Sequence, residues 1–118
     1  MSLGATDPAL QLEGRWNLTK IADVAAPDGA RMIVADGQVD IFVGCNTISS
    51  VALLGPGGVH FRDIVTTKMA CAPATQELET KVMEALTRIE TMHVGLGDVL
   101  SFYDGMNALQ IGAIKAET

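Results

Sequence analysis

Arg31-Met32-Ile33-Val34-Ala35-Asp36-Gly37-Gln38-Val39-Asp40-Ile41-Phe42-Val43 is the stretch whose reading decides the fold. Two apolar-rich runs flank an Asp-Gly pair, and Val39, Ile41 and Val43 recur at period two, the spacing of a strand with one buried face. Asp-Gly tolerates the positive φ angles of a tight hairpin turn. Strands over 31–35 and 38–43 are therefore expected to pair antiparallel around Asp36-Gly37. The same pattern repeats outward. Gly55-Pro56-Gly57-Gly58 separates Ser50–Leu54 from Val59–Ile64, and Gly95-Leu96-Gly97-Asp98 parts Met92–Val94 from Val99–Tyr103. Asp104-Gly105-Met106-Asn107 then turns into Ala108–Ile114, and Asp28-Gly29 marks another turn before the first hairpin. With an opening strand over Arg15–Ile21, about eight strands are expected. Short connections favour antiparallel pairing, because parallel neighbours need long crossovers.

One segment departs from period two. From Thr75 to Glu90, the apolar residues Leu78, Val82, Ala85, Leu86 and Ile89 fall at helical spacing and cluster on one face. Glu77, Lys81, Glu84 and Arg88 fall on another, and Glu77–Lys81 and Glu84–Arg88 are i,i+4 pairs of the favourable order. Pro73 suits the first turn and Thr75 is the expected cap. The fold class is thus mainly β (α+β), a curled or closed antiparallel sheet with one amphipathic helix between its fifth and sixth strands. That helix is expected to lay Leu78, Val82, Leu86 and Ile89 over the sheet or across a barrel mouth.

The chain has 118 residues, room for one domain, and its 48% hydrophobic and 19% charged content is that of a folded domain with a core. Aromatics are 4%, too few for a base- or sugar-stacking platform. Net charge is −6 with no basic cluster, so nucleic acid and anionic lipid surfaces are not expected partners. No apolar run approaches the roughly 18 residues of a membrane span. Met1-Ser2-Leu3-Gly4 does not read as a signal peptide. Residues 1–11 are expected to be loose or vector-derived, 12–114 a single domain, and 115–118 a tail.

Candidate chemistry is sparse. Cys45 lies in Val43-Gly44-Cys45-Asn46, where a strand ends, and Cys71 lies just before the helix. Neither belongs to a Cys-x-x-Cys pair, and His60 and His93 are not spaced like zinc ligands, so Cys45, Cys71, His60 and His93 form only a weak four-ligand set. Spacing alone leaves buried free thiols and a disulfide both open. Cys71 before a helix is the one opening for a reactive thiol. Glu77 and Glu84 read as a solvated charged face rather than an acid–base pair. Gly55, Gly57, Gly58, Gly95 and Gly97 are hairpin turns without the strand-to-helix setting of a phosphate loop. Asn17-Leu18-Thr19 fits the glycosylation acceptor pattern but falls within a strand, and Met83 and Met92 read as core filler. No catalytic residue, cofactor or metal is expected, and the chain reads as a non-enzyme.

Four short motifs, in order, carry a family resemblance. Leu12-Glu13-Gly14-Arg15-Trp16-Asn17-Leu18, Gly44-Cys45-Asn46, Thr67-Lys68-Met69-Ala70-Cys71 and Gly97–Asp104 resemble the corresponding segments of the META domain family, which includes HslJ-like bacterial heat-shock proteins. The resemblance spans Leu12 to Ala113 and marks Gly14, Trp16, Gly44, Cys45, Asn46, Thr67, Met69, Ala70 and Cys71 as motif positions. The chain departs from the family where Val39-Asp40-Ile41-Phe42 lacks a glycine, and where Thr47–Val51 lacks the usual Ser-Gly and aromatic. The resemblance implies a barrel-like or conical antiparallel sheet with one helix. It implies a bacterial cell-envelope protein, periplasmic, secreted or held at the outer membrane by a lipid anchor that this sequence lacks. It also implies links to stress and antibiotic tolerance and action through an envelope protein partner or surface. Export to an oxidising compartment, with both cysteines in matched segments, implies a Cys45–Cys71 disulfide. The rival reading is a β-barrel that binds a small apolar ligand between helix and sheet.

Overall fold

The structure, a computed structural model, describes residues 11–55 and 58–116. From Gly14 onward the described residues form, in order, β1 (Gly14–Ile21), β2 (Val24–Ala25), β3 (Arg31–Ala35), β4 (Gln38–Phe42), β5 (Thr47–Gly55), β6 (Gly58–Thr66), α1 (Pro73–Arg88), β7 (Ile89–Gly95), β8 (Val99–Asp104) and β9 (Leu109–Lys115). All pairings are antiparallel, in the order β6-β5-β4-β3-β1-β9-β8-β7, with β2 attached to β1. The deciding hairpin forms: Ala35 faces Gln38, and Asp36 and Gly37 take φ of 51° and 82°.

The helix follows the sixth strand rather than lying between the fifth and sixth. The reason is β2, two residues that fold back on Lys20 and Ile21 and are too short to leave a period-two pattern. The paired chain also runs past the boundary expected at residue 114. β9 includes Lys115, and the Ala116 N–H donates to the Arg15 carbonyl. Of the expected loose N-terminus only Gln11 falls within the described residues, and of the expected tail only Lys115 and Ala116 do.

Alternation holds along the wall. Met32 and Val34, Val39 and Ile41, Val59 and Phe61, and Leu100 and Phe102 all point into one buried core. Along β1 the inward set is Trp16 and Leu18 and then Ile21; an extra residue at Thr19 shifts the phase so that Ile21 returns to the interior opposite Ile111. Inside, the rings of Phe61 on β6 and Phe102 on β8 meet edge to face at 5.4 Å. The terminal strands of this path, β6 and β7, carry no ladder between them, yet a Cβ on Gly58 would come within 2.7 Å of the Glu90 carbonyl oxygen. The sheet is therefore a nearly closed barrel.

α1 starts at Pro73 with Ala72 at its N-cap and no side-chain cap, so Thr75 does not cap it. Val82, Ala85 and Leu86 are buried and Leu78 packs at the edge of the core. Ile89 is buried too, but as the first residue of β7. Among the described residues neither Glu77–Lys81 nor Glu84–Arg88 forms an ion pair; Lys81 reaches Asp23 instead, at 3.7 Å. No described helix is long and apolar enough to cross a membrane.

Candidate functional site

Between β4 and β5 the chain bends through Val43–Asn46, and between β6 and α1 it runs without regular structure from Thr67 to Ala72. These two irregular stretches pack against the first turns of α1. Backbone outside a ladder still needs hydrogen-bond partners, and here the side chains of Asn46, Glu79 and Thr67 supply several of them. The Asn46 Oδ1 accepts from the Met69 N–H at 2.8 Å and from the Thr67 hydroxyl at 2.8 Å. The Asn46 Nδ2 donates to a Glu79 carboxyl oxygen at 2.9 Å and to the Cys71 Sγ at 3.2 Å. The other Glu79 oxygen accepts from the Asn46 backbone N–H at 2.7 Å. Asn46 and Glu79 are 6% and 4% exposed, and no buried side-chain polar atom among the described residues lacks a partner.

Gly44 makes the bend possible. Its φ is +144°, and a Cβ there would sit 3.2 Å from the Thr75 methyl of α1. Cys45 and Cys71 are joined in a disulfide with Cα atoms 6.1 Å apart, closing a separation of 26 residues. The two buried thiols left open by spacing are thus excluded. Thr67 and Met69 contribute to the corner through a hydroxyl and a backbone N–H; the Met69 side chain is 55% exposed, and Ala70 is exposed beside it. Thr66–Ala70, Asn46, Gln76, Glu79, Thr80 and Met83 line a groove of about 540 Å³.

Gly14 and Trp16 belong to the wall instead. Trp16 is 1% exposed and donates its Nε1–H to the Leu12 carbonyl at 2.8 Å. Lys115 Nζ stands 4.7 Å above its ring and donates to the Glu13 carbonyl. Gly14 has φ +117°, and a Cβ there would strike Lys115 Nζ. His60 and His93 are exposed on β6 and β7 and do not join the cysteines; the third potential ligand beside them is Glu79. Sequence reasoning missed Glu79 while weighing Glu77 and Glu84. The available signal was position: Glu79 precedes Val82 by three and Leu86 by seven, which puts a carboxyl on the buried stripe of the helix.

A nearly closed antiparallel barrel, with a disulfide and a buried Asn–Glu pair fixing its helix, defines the class. Residues 8–113 match the META domain, and the chain belongs to that family. No curated protein matches it. A protein from Burkholderia xenovorans solved by NMR is similar, with 22% identity and a TM-score of 0.75 over 100% of this chain and 96% of that one. A second NMR structure shares 17% identity with a TM-score of 0.68, covering 92% of this chain and 95% of its own. At these identities the likeness is one of fold.

Proposed function

We propose that this chain is a non-enzymatic domain of the bacterial cell envelope, periplasmic, lipid-anchored or secreted, that works by binding another protein. The reading rests on where apolar surface remains. Trp16, Met32, Ile41, Ile48, Leu100, Phe102 and Ile111 fill the interior, each at most 1% exposed, which weighs against a small apolar ligand held inside. Outside, Val99 on β8 and Ile114 on the adjacent β9 are 43% and 42% exposed, and Ile33 is 38% exposed on β3, across β1 from them. Val99 faces Ile114, Ile114 faces Asn17, and Asn17 faces Arg31, with Arg15 opposite Ile33 in the next row. Arg15, Asn17, Arg31 and Ile33 line a shallow cleft of about 340 Å³, and the Arg31 guanidinium lies 4.4 Å over the Phe42 ring. Two arginines among aliphatics, on a chain of net charge −6, suit a partner that offers a carboxylate beside an apolar side chain.

The disulfide supports an oxidising compartment, and the family resemblance supplies stress or antibiotic tolerance as the setting. A photo-cross-linking residue in place of Ile33 tests the surface, with one in place of Thr87 on the exposed side of α1 as control. In the envelope fraction, the Ile33 position is expected to give a discrete protein adduct that Arg31→Glu abolishes, and the Thr87 position none. Matching adducts from both positions, or no adduct from Ile33, contradict the reading. An apolar molecule extracted in equimolar amount from the native protein contradicts it in favour of the ligand-binding barrel.

A further inference from the structure

The Cys45–Cys71 corner holds the makings of a metal site. One carboxyl oxygen of Glu79 and the two cysteine sulfurs all lie within 4.8 Å of one another. Glu79 is nearly fully buried, and among the described residues no Lys or Arg pairs with it. A buried carboxyl with no cationic partner is a suitable neighbour for a positive charge. We propose that reduction of the Cys45–Cys71 bridge turns this corner into a site for a thiophilic divalent cation, zinc above all, held by the Cys45 and Cys71 sulfurs and a Glu79 oxygen.

Ligand chemistry selects the ion. Two thiolates and a carboxylate favour zinc over magnesium or calcium, which prefer all-oxygen shells. Two thiolates on tetrahedral zinc stand about 3.8 Å apart, given Zn–S bonds of about 2.3 Å. Cα atoms 6.1 Å apart allow that separation through side-chain rotation. The surrounding shell is already oriented: Asn46 donates to the Cys71 Sγ and to both Glu79 oxygens, the kind of outer contact that fixes metal ligands. Each Glu79 oxygen keeps a lone pair beyond the one Asn46 uses. The groove lined by Asn46, Ala70 and Glu79 brings solvent to the carboxyl side of this corner, the entry path that a metal site needs.

The chemistry balances. A small dithiol supplies the electrons: its thiolate attacks the Cys45 Sγ, the S–S bond breaks, and Cys71 leaves as a thiolate that takes up a proton. The reductant's second thiol then resolves the mixed disulfide, so the reductant ends oxidised and Cys45 ends as a thiol. Zinc binding releases both thiol protons to solvent. The oxidised corner has no thiolate to offer, so the site exists only in the reduced chain.

Zinc alone is the probe, added to the full chain in oxidised form and after reduction with a small dithiol that is removed by desalting. Cobalt(II) serves as the spectroscopic substitute, and far-UV circular dichroism follows the fold. The reduced chain is expected to take up one equivalent of zinc while folded, or to refold upon zinc addition, and to show thiolate-to-cobalt charge-transfer absorption. The oxidised chain and Cys45→Ala/Cys71→Ala are expected to take up none. Glu79→Gln, reduced, is expected to keep the cobalt band and lose about tenfold in zinc affinity. The proposal is overturned by equal uptake in oxidised and reduced wild type, by a reduced wild type that takes up no zinc, or by uptake into a chain that stays unfolded. Unchanged affinity in Glu79→Gln removes Glu79 from the ligand set and overturns the site as stated.

Discussion

The barrel wall and the Cys45–Asn46 corner hold together by opposite means. In the wall, backbone polar groups are paired in ladders, and Val39, Ile41, Leu100 and Phe102, all 0% exposed, contribute volume and apolar area. Such positions tolerate another hydrophobe of similar size. In the corner the ladders stop, and Asn46 alone joins the Thr67–Met69 stretch, the disulfide and α1. No other side chain of that length both donates and accepts in this way. Seven of the nine motif positions, Gly44, Cys45, Asn46, Thr67, Met69, Ala70 and Cys71, gather in this one corner. A site that depends on particular atoms fixes residue identity, whereas a packed core fixes mainly size and polarity.

Asn46→Ala should have the largest effect, on the order of 4 kcal/mol in urea denaturation. It leaves one Glu79 oxygen and the Met69 N–H without a partner, each costing about 1–3 kcal/mol, and removes further contacts, while the backbone N–H at position 46 still reaches the other Glu79 oxygen. Reducing the disulfide is expected to cost about 3.5 kcal/mol on the chain-entropy model for a separation of 26 residues. If reduction costs nothing, the corner is held by its hydrogen bonds alone. On α1, where it packs on the apolar core, Leu86→Ala should cost about 3 kcal/mol, and Glu84→Ala only about 0.3 kcal/mol. Glu84 is exposed and forms no ion pair among the described residues, so similar losses for the two substitutions would mean the buried and solvent faces of α1 are misassigned.

Asp104 repeats the corner on a small scale. Its Oδ1 accepts from the Met106 and Ala108 N–H groups at 2.8 and 2.9 Å, closing the turn between β8 and β9. These bonds, led by Ala108, hold its carboxyl below the ordinary aspartate range. The folded value lies below the unfolded one, so the contribution is complete above about pH 4 and is lost as pH falls through the folded value. Asp104→Asn is expected to flatten the acid limb of a stability-against-pH curve while leaving the curve above pH 5 parallel to wild type. An unchanged acid limb assigns the acid sensitivity to other carboxyls.

Much of the wall was legible because alternation and Asp-Gly turns are local signals. Val39, Ile41 and Asp36-Gly37 state their strand, face and turn within a few residues. The short β2 left no pattern, and the phase shift at Thr19 arises from pairing with β9, more than ninety positions downstream. The charged stripe of α1 was legible as solvent-facing, but Lys81 found Asp23, a partner from a distant turn, in place of Glu77. The corner was legible only as a set of motif positions. What joins Asn46 to Glu79 is a contact across 33 residues, and neither periodicity nor spacing reports that distance. A single carboxyl on an apolar stripe was the only trace it left.

Asn46 and Glu79 act as one unit that fixes the helix to the sheet. A double-mutant cycle tests it most directly: Asn46→Ala, Glu79→Ala and the double variant, each oxidised, compared with wild type by urea denaturation. The expected coupling between the two sites is about 1–3 kcal/mol, so that the double variant loses clearly less than the two single losses combined. Losses that add to within about 0.5 kcal/mol would show that the two side chains stabilise the fold independently, and would contradict the claim.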